Sequence, residues 1–330
     1  MFYIVKERNY DATKFYLDIL ERSATLAGQV TKQIDSRDMG SSNSKDIYLI
    51  SNPLGAFKLS FIKKKRFIYW FQGVVSEESY MKHKSSLRRF IIQRIEKYIL
   101  KKAEYIYFVS SEMKDYYSNL FGINLKENHY IMPCFNSTIN KNSFLYENKY
   151  NKNIFCYAGS LSVWQGFDKI LACYKYFEGL GIHGTKLLIL TNEKEKAKEL
   201  INLSGIKNYE IDYVQLKNID NALSQAKFGF ILREDVIVNR VATPTKISTY
   251  MANGLIPIFS ECLVDFANIS KDLKYTINFD EKDSAQRIRN FMLEKIDPNA
   301  VYGEYSKLFE TYFSGDYHAR KIAKLIKNIL

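Results

Sequence analysis

Residues 154–171, IFCYAGSLSVWQGFDKIL, begin with five residues suited to a buried strand, break after Ala158, cross a Gly- and Ser-containing loop, and resume helical spacing at Phe167. A strand that turns through glycine into a helix is the first half of a βα unit. Toward the C-terminus the alternation repeats. TKLLILT (185–191) precedes a helical stretch at 193–203, and YEIDYVQ (209–215) precedes a short one at 219–226. FGFILR (228–233), a helix over 245–252 and LIPIF (255–259) complete it. Five β runs separated by helices predict a parallel sheet covered on both faces. Right-handed crossovers would bring every βα loop to one edge, where such sheets bind ligands.

Toward the N-terminus, residues 136–153, NSTINKNSFLYENKYNKN, contain six Asn among eighteen and lose apolar periodicity. They read as a linker, with a domain boundary near residue 145. Before them, FYIVK (2–6), IYLIS (47–51), RFIYWF (66–71), YIYFVS (105–110) and YIMPCF (130–135) are strand candidates, and 12–26 a helix. The expected architecture is α/β: two doubly wound, Rossmann-like domains facing a cleft, one over 1–145 and the other over 146–330. From residue 283 onward helix dominates, and the Lys-rich amphipathic segment 319–330 is expected to return to the first domain.

Composition agrees with two packed cores. The chain has 330 residues, 46% apolar and 25% charged, with 47 Tyr and Phe but only five Pro, which excludes a disordered or fibrous chain. No run reaches the roughly 18 apolar residues of a spanning helix, and the first residues lack an export pattern, so a cytoplasmic protein is expected. Cys134, Cys156, Cys173 and Cys262 lack metal-type spacing and read as reduced thiols. The net charge is +12, and residues 58–102 alone hold 13 basic and 3 acidic side chains. That concentration predicts an anionic partner or a solubilising face.

Three segments could carry chemistry. In LREDVIVNRVATPTKISTYMANG (232–254), Pro244 fixes a helix entry and Gly254 its end, so the amides of Thr245 and Lys246 would open onto the sheet's ligand-binding edge. With Arg233 and Arg240 nearby this suits a diphosphate. In AGSLSVWQGF (158–167), Gly159 and Gly166 permit close backbone approach, and Ser160 can donate to phosphate oxygens; the loop is not GxGxxG. In YWFQGVVSEESYMKHKSSLRR (69–89), a strand breaks at Gln72 and Gly73 and is followed by Glu77 and Glu78, which could hold sugar hydroxyls or simply begin a helix. Four His and four Cys at these spacings predict no metal cluster, and GxSxG, P-loop, HExxH and Asp-x-Asp motifs are absent from the sequence.

Together these segments resemble the retaining glycosyltransferases of family 4 (group 1), which have the GT-B architecture. IFCYAGSLSVWQGFDKIL, TKLLILT, YVQL, IDNALSQAKFGFILR and NRVATPTKISTYMANGLIPIFS are similar to the C-terminal half of that family. YWFQGVVSEESYMKHKSSLRRF with RIEKYILKKAEYIYFVSSEMKDYY resembles its bacterial capsule, O-antigen and surface-polysaccharide branch. The resemblance spans about residues 66–262. It implies a hexosyltransferase-type enzyme using a nucleotide sugar, UDP- or GDP-linked, with no further cofactor and no metal. Gly159, Ser160 and Thr245 would flank the pyrophosphate, and the backbone at Val214 and Leu216 would border the base. Many members carry Arg and Lys in the first loop where this chain has Ser160 and Gln165, so Arg240 and Lys246 would supply that charge, with Arg233 close by. Where many carry two Glu eight residues apart, this chain has Val241 and Thr249. A common His-Gly pair is replaced by Gln72-Gly73; Gln cannot titrate, so its role would be hydrogen bonding, with Glu78 nearer the acceptor. Implied partners are the nucleotide sugar, a lipid-linked or oligosaccharide acceptor and an anionic inner membrane surface, not nucleic acid. A catalytically silent partner subunit and a basic nucleic-acid-binding protein are the alternatives. For SSLRRFIIQRIEKYILKK (85–102), Leu87, Ile91, Ile95, Tyr98 and Ile99 are expected to pack inward and the cations, with Lys63 to Arg66, to face lipid without a hydrophobic anchor.

Overall fold

The computed structural model describes residues 1–6, 10–39, 45–60, 65–125 and 128–329. The chain forms two compact units, Met1–Cys134 with Glu310–Leu330, and Phe135–Phe309.

The first unit is built on β1 (Phe2–Lys6), β2 (Thr31–Asp35), β3 (Ile47–Ile50), β4 (Arg66–Phe71), β5 (Tyr105–Phe108) and β6 (His129–Ile131), in the order β2-β1-β3-β4-β5-β6. All neighbours pair in parallel. The second contains β7 (Ile154–Ala158), β8 (Lys186–Leu190), β9 (Tyr209–Asp212), β10 (Phe228–Ile231), β11 (Ile256–Phe259) and β12 (Ile277–Asn278), ordered β12-β11-β10-β7-β8-β9 and again parallel throughout. Central strands such as β3, β10 and β11 are buried at every residue, as two-sided coverage by crossover helices requires. The strand order reverses at β1/β3 in the first sheet and at β7/β10 in the second, and crevices at the C-terminal ends of the strands are expected there.

The C-terminal helix Gly315–Ile329 packs on the helix Tyr10–Leu26, which places the chain's end in the first unit. His318 fastens it: its Nδ1 lies 2.9 Å from the Tyr130 hydroxyl and its Nε2 3.0 Å from the Tyr312 carbonyl. The Asn-rich stretch corrects the linker reading. It is packed into the second unit, with the Asn140 amide on the Ala252 carbonyl and Phe144 buried against Gly254. Its Asn residues serve local turns: Asn140 precedes a helical turn and Asn148 takes the left-handed conformation at φ 57°. Lys149 is buried and donates to the carbonyls of Leu223, Ser224 and Asn253 at 3.4, 3.0 and 2.7 Å, so it caps the C-terminal ends of two helices at once.

The expectation for residues 85–102 is also corrected. Within the helix Ser86–Lys102 only Glu96, Ile99 and Leu100 are buried, whereas Leu87 and Ile91 are exposed. Lys63 lies outside the described residues. The four cysteines form no disulfide, two being buried and two half-buried, and among the described residues no helix is long and apolar enough to cross a membrane.

Candidate functional site

At the C-terminal edge of the second sheet lies a cavity of about 310 Å³, bounded by the loops after β7, β8 and β9 and by the start of the helix Thr245–Ala252. That helix is held from several directions. Pro244 gives its entry at φ −63°, the Tyr250 hydroxyl accepts the Ala158 amide at 2.8 Å, and Lys149 anchors its far end. Tyr250 fits only because Gly229 in β10 has no side chain: a Cβ there would stand 2.4 Å from the ring. The Thr245 and Lys246 amides make no hydrogen bond among the described residues, leaving two donors at a helix N-terminus.

Lys246 is half-buried and reaches under the loop after β7. Its Nζ donates to Gln165 Oε1 at 2.7 Å and stands 4.4 Å from the centre of the Tyr157 ring. Gly159, at φ +145°, makes this approach possible, since a Cβ would lie 2.6 Å from Nζ. Gly166 plays a similar part at the other end of the loop, where a Cβ would meet the Leu232 carbonyl at 2.6 Å. Burial, followed by the nearby Arg233 guanidinium, holds the lysine well below its ordinary pKa. Arg233, unlike half-buried Lys246, is buried, its Nη1 3.5 Å from the Trp164 carbonyl, and burial lowers its pKa. Neither cation has a carboxylate within ion-pair distance among the described residues. Two cations with only neutral partners are poised for an anion.

Most of the residues singled out from the sequence converge here. Gly159, Ser160, Val214, Thr245, Lys246 and Thr249 line the cavity, and Gln165 touches it through Lys246. Leu216 begins a short helical turn, 216–218, beyond Val214. Thr249, in the place of a family Glu, has its hydroxyl 2.9 Å from Asn136 Oδ1 and 3.1 Å from the Thr245 carbonyl, while Val241 is buried. Arg240 is not on the cavity wall: it grips Asp235 in a two-pronged pair at 2.5 and 2.8 Å and is half-exposed. Asn136, Tyr157 and Tyr213 complete the surroundings, although nothing in their sequence context marks them. Glu193 is a further brace: it accepts the Leu161 amide at 2.6 Å and so ties the first loop to the one after β8.

A second cavity, about 540 Å³, lies at the edge of the first sheet over the β1/β3 reversal. Gln72 and Glu78 open onto it, with Asn52 beside them. Asn52 Oδ1 accepts the Leu54 and Gly55 amides, which leaves its NH₂ group for the cavity. Glu77 and Glu78 part company in the helix Val75–His83. Glu77 is buried, bonded to Arg89 at 2.7 Å and to the Tyr116 hydroxyl at 2.8 Å. Glu78 stays accessible in the cavity, yet the surrounding protein raises its carboxyl pKa by desolvation, and it lies so close to Gly73 that a Cβ there would be 2.1 Å from Oε1. Beneath, buried Glu96 accepts the Ser76 amide at 3.1 Å and the Tyr117 hydroxyl at 3.0 Å; burial pushes its carboxyl up to about 7. A carboxylate thus meets the N-terminus of the helix that bears Glu78.

The sequence matches no known family profile and no curated protein. Solved structures do match over the whole chain. Sucrose-phosphate synthase from Thermosynechococcus elongatus aligns over 100% of this chain and 99% of its own, with TM-score 0.68 and 11% identity. HepE from Anabaena, solved with UDP and glucose, covers 99% of each chain at TM-score 0.66 and 11% identity. A glycosyltransferase from Rickettsia africae covers 99% of this chain and 98% of its own at TM-score 0.63 and 14% identity. With two six-stranded parallel sheets, each coated by helices, the chain has the GT-B fold.

Proposed function

We propose that this chain is a retaining glycosyltransferase of family 4 that moves a sugar from a UDP- or GDP-sugar to a saccharide acceptor carried on lipid, in bacterial capsule, O-antigen or similar polysaccharide assembly. The observation that carries the reading is Lys246, set under Gly159 beside Arg233 and two unbonded helix amides with no carboxylate to neutralise it. Such a group of donors is complementary to a diphosphate. Support also comes from structural neighbours solved with UDP and glucose or with UDP-2-fluoroglucose.

Departure of the nucleoside diphosphate builds negative charge on the pyrophosphate and positive charge on the sugar. Fixed cations and amides on the leaving group therefore stabilise the transition state more than the ground state. Lys246 and Arg233 take the phosphates, Ser160 donates to them, and Val214 and Tyr213 border the base. Arg240 adds charge only after releasing Asp235. Gln72 hydrogen-bonds sugar hydroxyls, and Glu78 positions the acceptor. In attack from the face of departure, the leaving diphosphate oxygen accepts the acceptor's proton. The basic surface over 58–102 attaches the protein to the inner face of the cell membrane.

Thermal unfolding with UDP-, GDP- and dTDP-sugars tests the donor site, because a ligand that binds only the folded chain raises its melting temperature. A shift with one base, together with sugar release or transfer, supports the reading. A shift without turnover would make the chain a silent partner subunit, and no shift with any nucleotide sugar would remove the donor site.

A further inference from the structure

The two helices Val75–His83 and Ser86–Lys102 form an antiparallel hairpin in which Ser76 stands level with Glu96. From Glu96 the second helix runs down to β5. Its first ten residues therefore run the other way with the first helix, past the sheet's C-terminal edge. The turn at Lys84, left-handed at φ 52°, stands about 12 Å beyond the level of Ser76 at about 1.5 Å per residue. On this outer half Leu87, Phe90 and Ile91 are 71%, 51% and 51% exposed. Spaced i, i+3, i+4, they share one face, and Arg94 closes it with its guanidinium 4.6 Å from the Phe90 ring centre. Residues 79–95 hold five Lys or Arg and no Asp or Glu. Arg89 is paired with Glu77, while Lys82, Lys84, Arg88 and Arg94 make no ion pair among the described residues.

We propose that this hairpin tip inserts into the surface of an anionic bilayer, with Leu87, Phe90 and Ile91 entering the boundary between headgroups and acyl chains and the four cations seated at the phosphates. Single exposed apolar side chains are ordinary, but three on one face, ringed by charge of one sign, match an interfacial helix. The long cationic side chains can lie along the apolar face while their heads reach phosphate. The inference deepens the membrane part of the proposed function, from electrostatic attachment to insertion, and does not rest on the donor site. Because Val75–His83 also bears Glu78, docking would set the 540 Å³ cavity beside the lipid surface.

Sedimentation and fluorescence of the full chain with vesicles of phosphatidylcholine, alone or mixed with phosphatidylglycerol, test this. The Phe90→Trp indole is expected to shift to the blue with mixed vesicles and to be quenched by lipids brominated high on the acyl chain. Val30→Trp, at a 67% exposed position at the opposite edge of the sheet, should do neither. Leu87→Ser with Phe90→Ser should weaken vesicle partitioning at least about ten-fold while leaving UDP binding unchanged. Vesicle binding without the Phe90→Trp response, no vesicle binding, or self-association that the double substitution abolishes would each overturn insertion. Failure of UDP to bind while vesicles still do would count against the donor reading alone.

Discussion

At the edge of the second sheet the cavity is lined by a lysine and free backbone amides among hydroxyls and side-chain amides, backed by a buried arginine; at the edge of the first it is lined by a carboxylate, two side-chain amides and hydroxyls, with no Lys or Arg among its lining residues. Each edge rests on a buried group of the charge its helix ends require. Glu96 takes an amide at the N-terminus of the helix bearing Glu78, and Lys149 takes carbonyls at the C-termini of two helices, one bearing Lys246. The same βα frame thus becomes an anion site or a neutral hydroxyl site according to which helix ends and which side chains line the edge. Lys149 is tolerated in the interior because backbone carbonyls satisfy it, whereas Glu96 leaves Oε2 without a partner among the described residues, in keeping with its raised pKa.

Breaking the comparison at its supports should give the largest effects. Lys149→Met leaves three helix-end carbonyls without their donor and is expected to lower unfolding stability by about 3 kcal/mol in urea titration. A loss below ~1 kcal/mol would mean that water takes over the carbonyls. Next in size is the functional asymmetry. Lys246→Ala should weaken UDP or GDP binding by about 2 kcal/mol in calorimetry, whereas Gln72→Ala should leave it unchanged and lower turnover. Equal effects of the two would erase the distinction between the edges.

Protonation sharpens the contrast, since the two supports have opposite pH slopes. Glu96 titrates at about 7 in the fold against 4.5 unfolded, so its contribution is full below pH 4.5 and lost as pH rises through 7. Lys149, lowered to about 7 from 10.5, contributes fully above pH 10.5 and loses that as pH falls through 7. Glu96→Gln should accordingly flatten the stability profile between pH 4.5 and 7 and add about 1 kcal/mol at pH 8. An unchanged slope would show that Glu96 is charged throughout. Arg240→Ala should have the smallest effect, under about 0.5 kcal/mol on nucleotide binding, because Asp235 already neutralises it. A loss as large as that of Lys246→Ala would move the diphosphate toward the outer loop.

The frame was readable where strands are buried on both faces. IFCYA, FIYWF (67–71) and LIPIF carry no charged residue because helices cover them twice. TKQID was missed: β2 is an edge strand, largely half-exposed, and its polar residues hide the pattern. The Asn-rich segment misled because Asn at caps and turns looks like Asn in a linker, and a buried Lys149 leaves no sequence signature. In the site, Lys246 was legible from Pro244 and Thr245 opening a helix. Its contact with Gln165 was not, since it depends on how closely Gly159 lets the two loops approach. Glu77 and Glu78 could not be separated by adjacency alone; one helical step of about 100° sends the first toward Arg89 and the second into the cavity. The basic helix misled for a related reason: periodicity marks an apolar face without saying whether anything covers it.

The central claim is that the second sheet's edge holds a nucleoside diphosphate, and backbone hydrogen exchange with and without UDP and GDP addresses it at the atoms concerned. Slowed exchange at the amides of Gly159, Ser160, Thr245 and Lys246, lost in Lys246→Ala, with residues 72–78 unchanged, is the expected result. Protection centred on residues 72–78, or tight nucleotide binding with no protection at the start of the helix Thr245–Ala252, would contradict it.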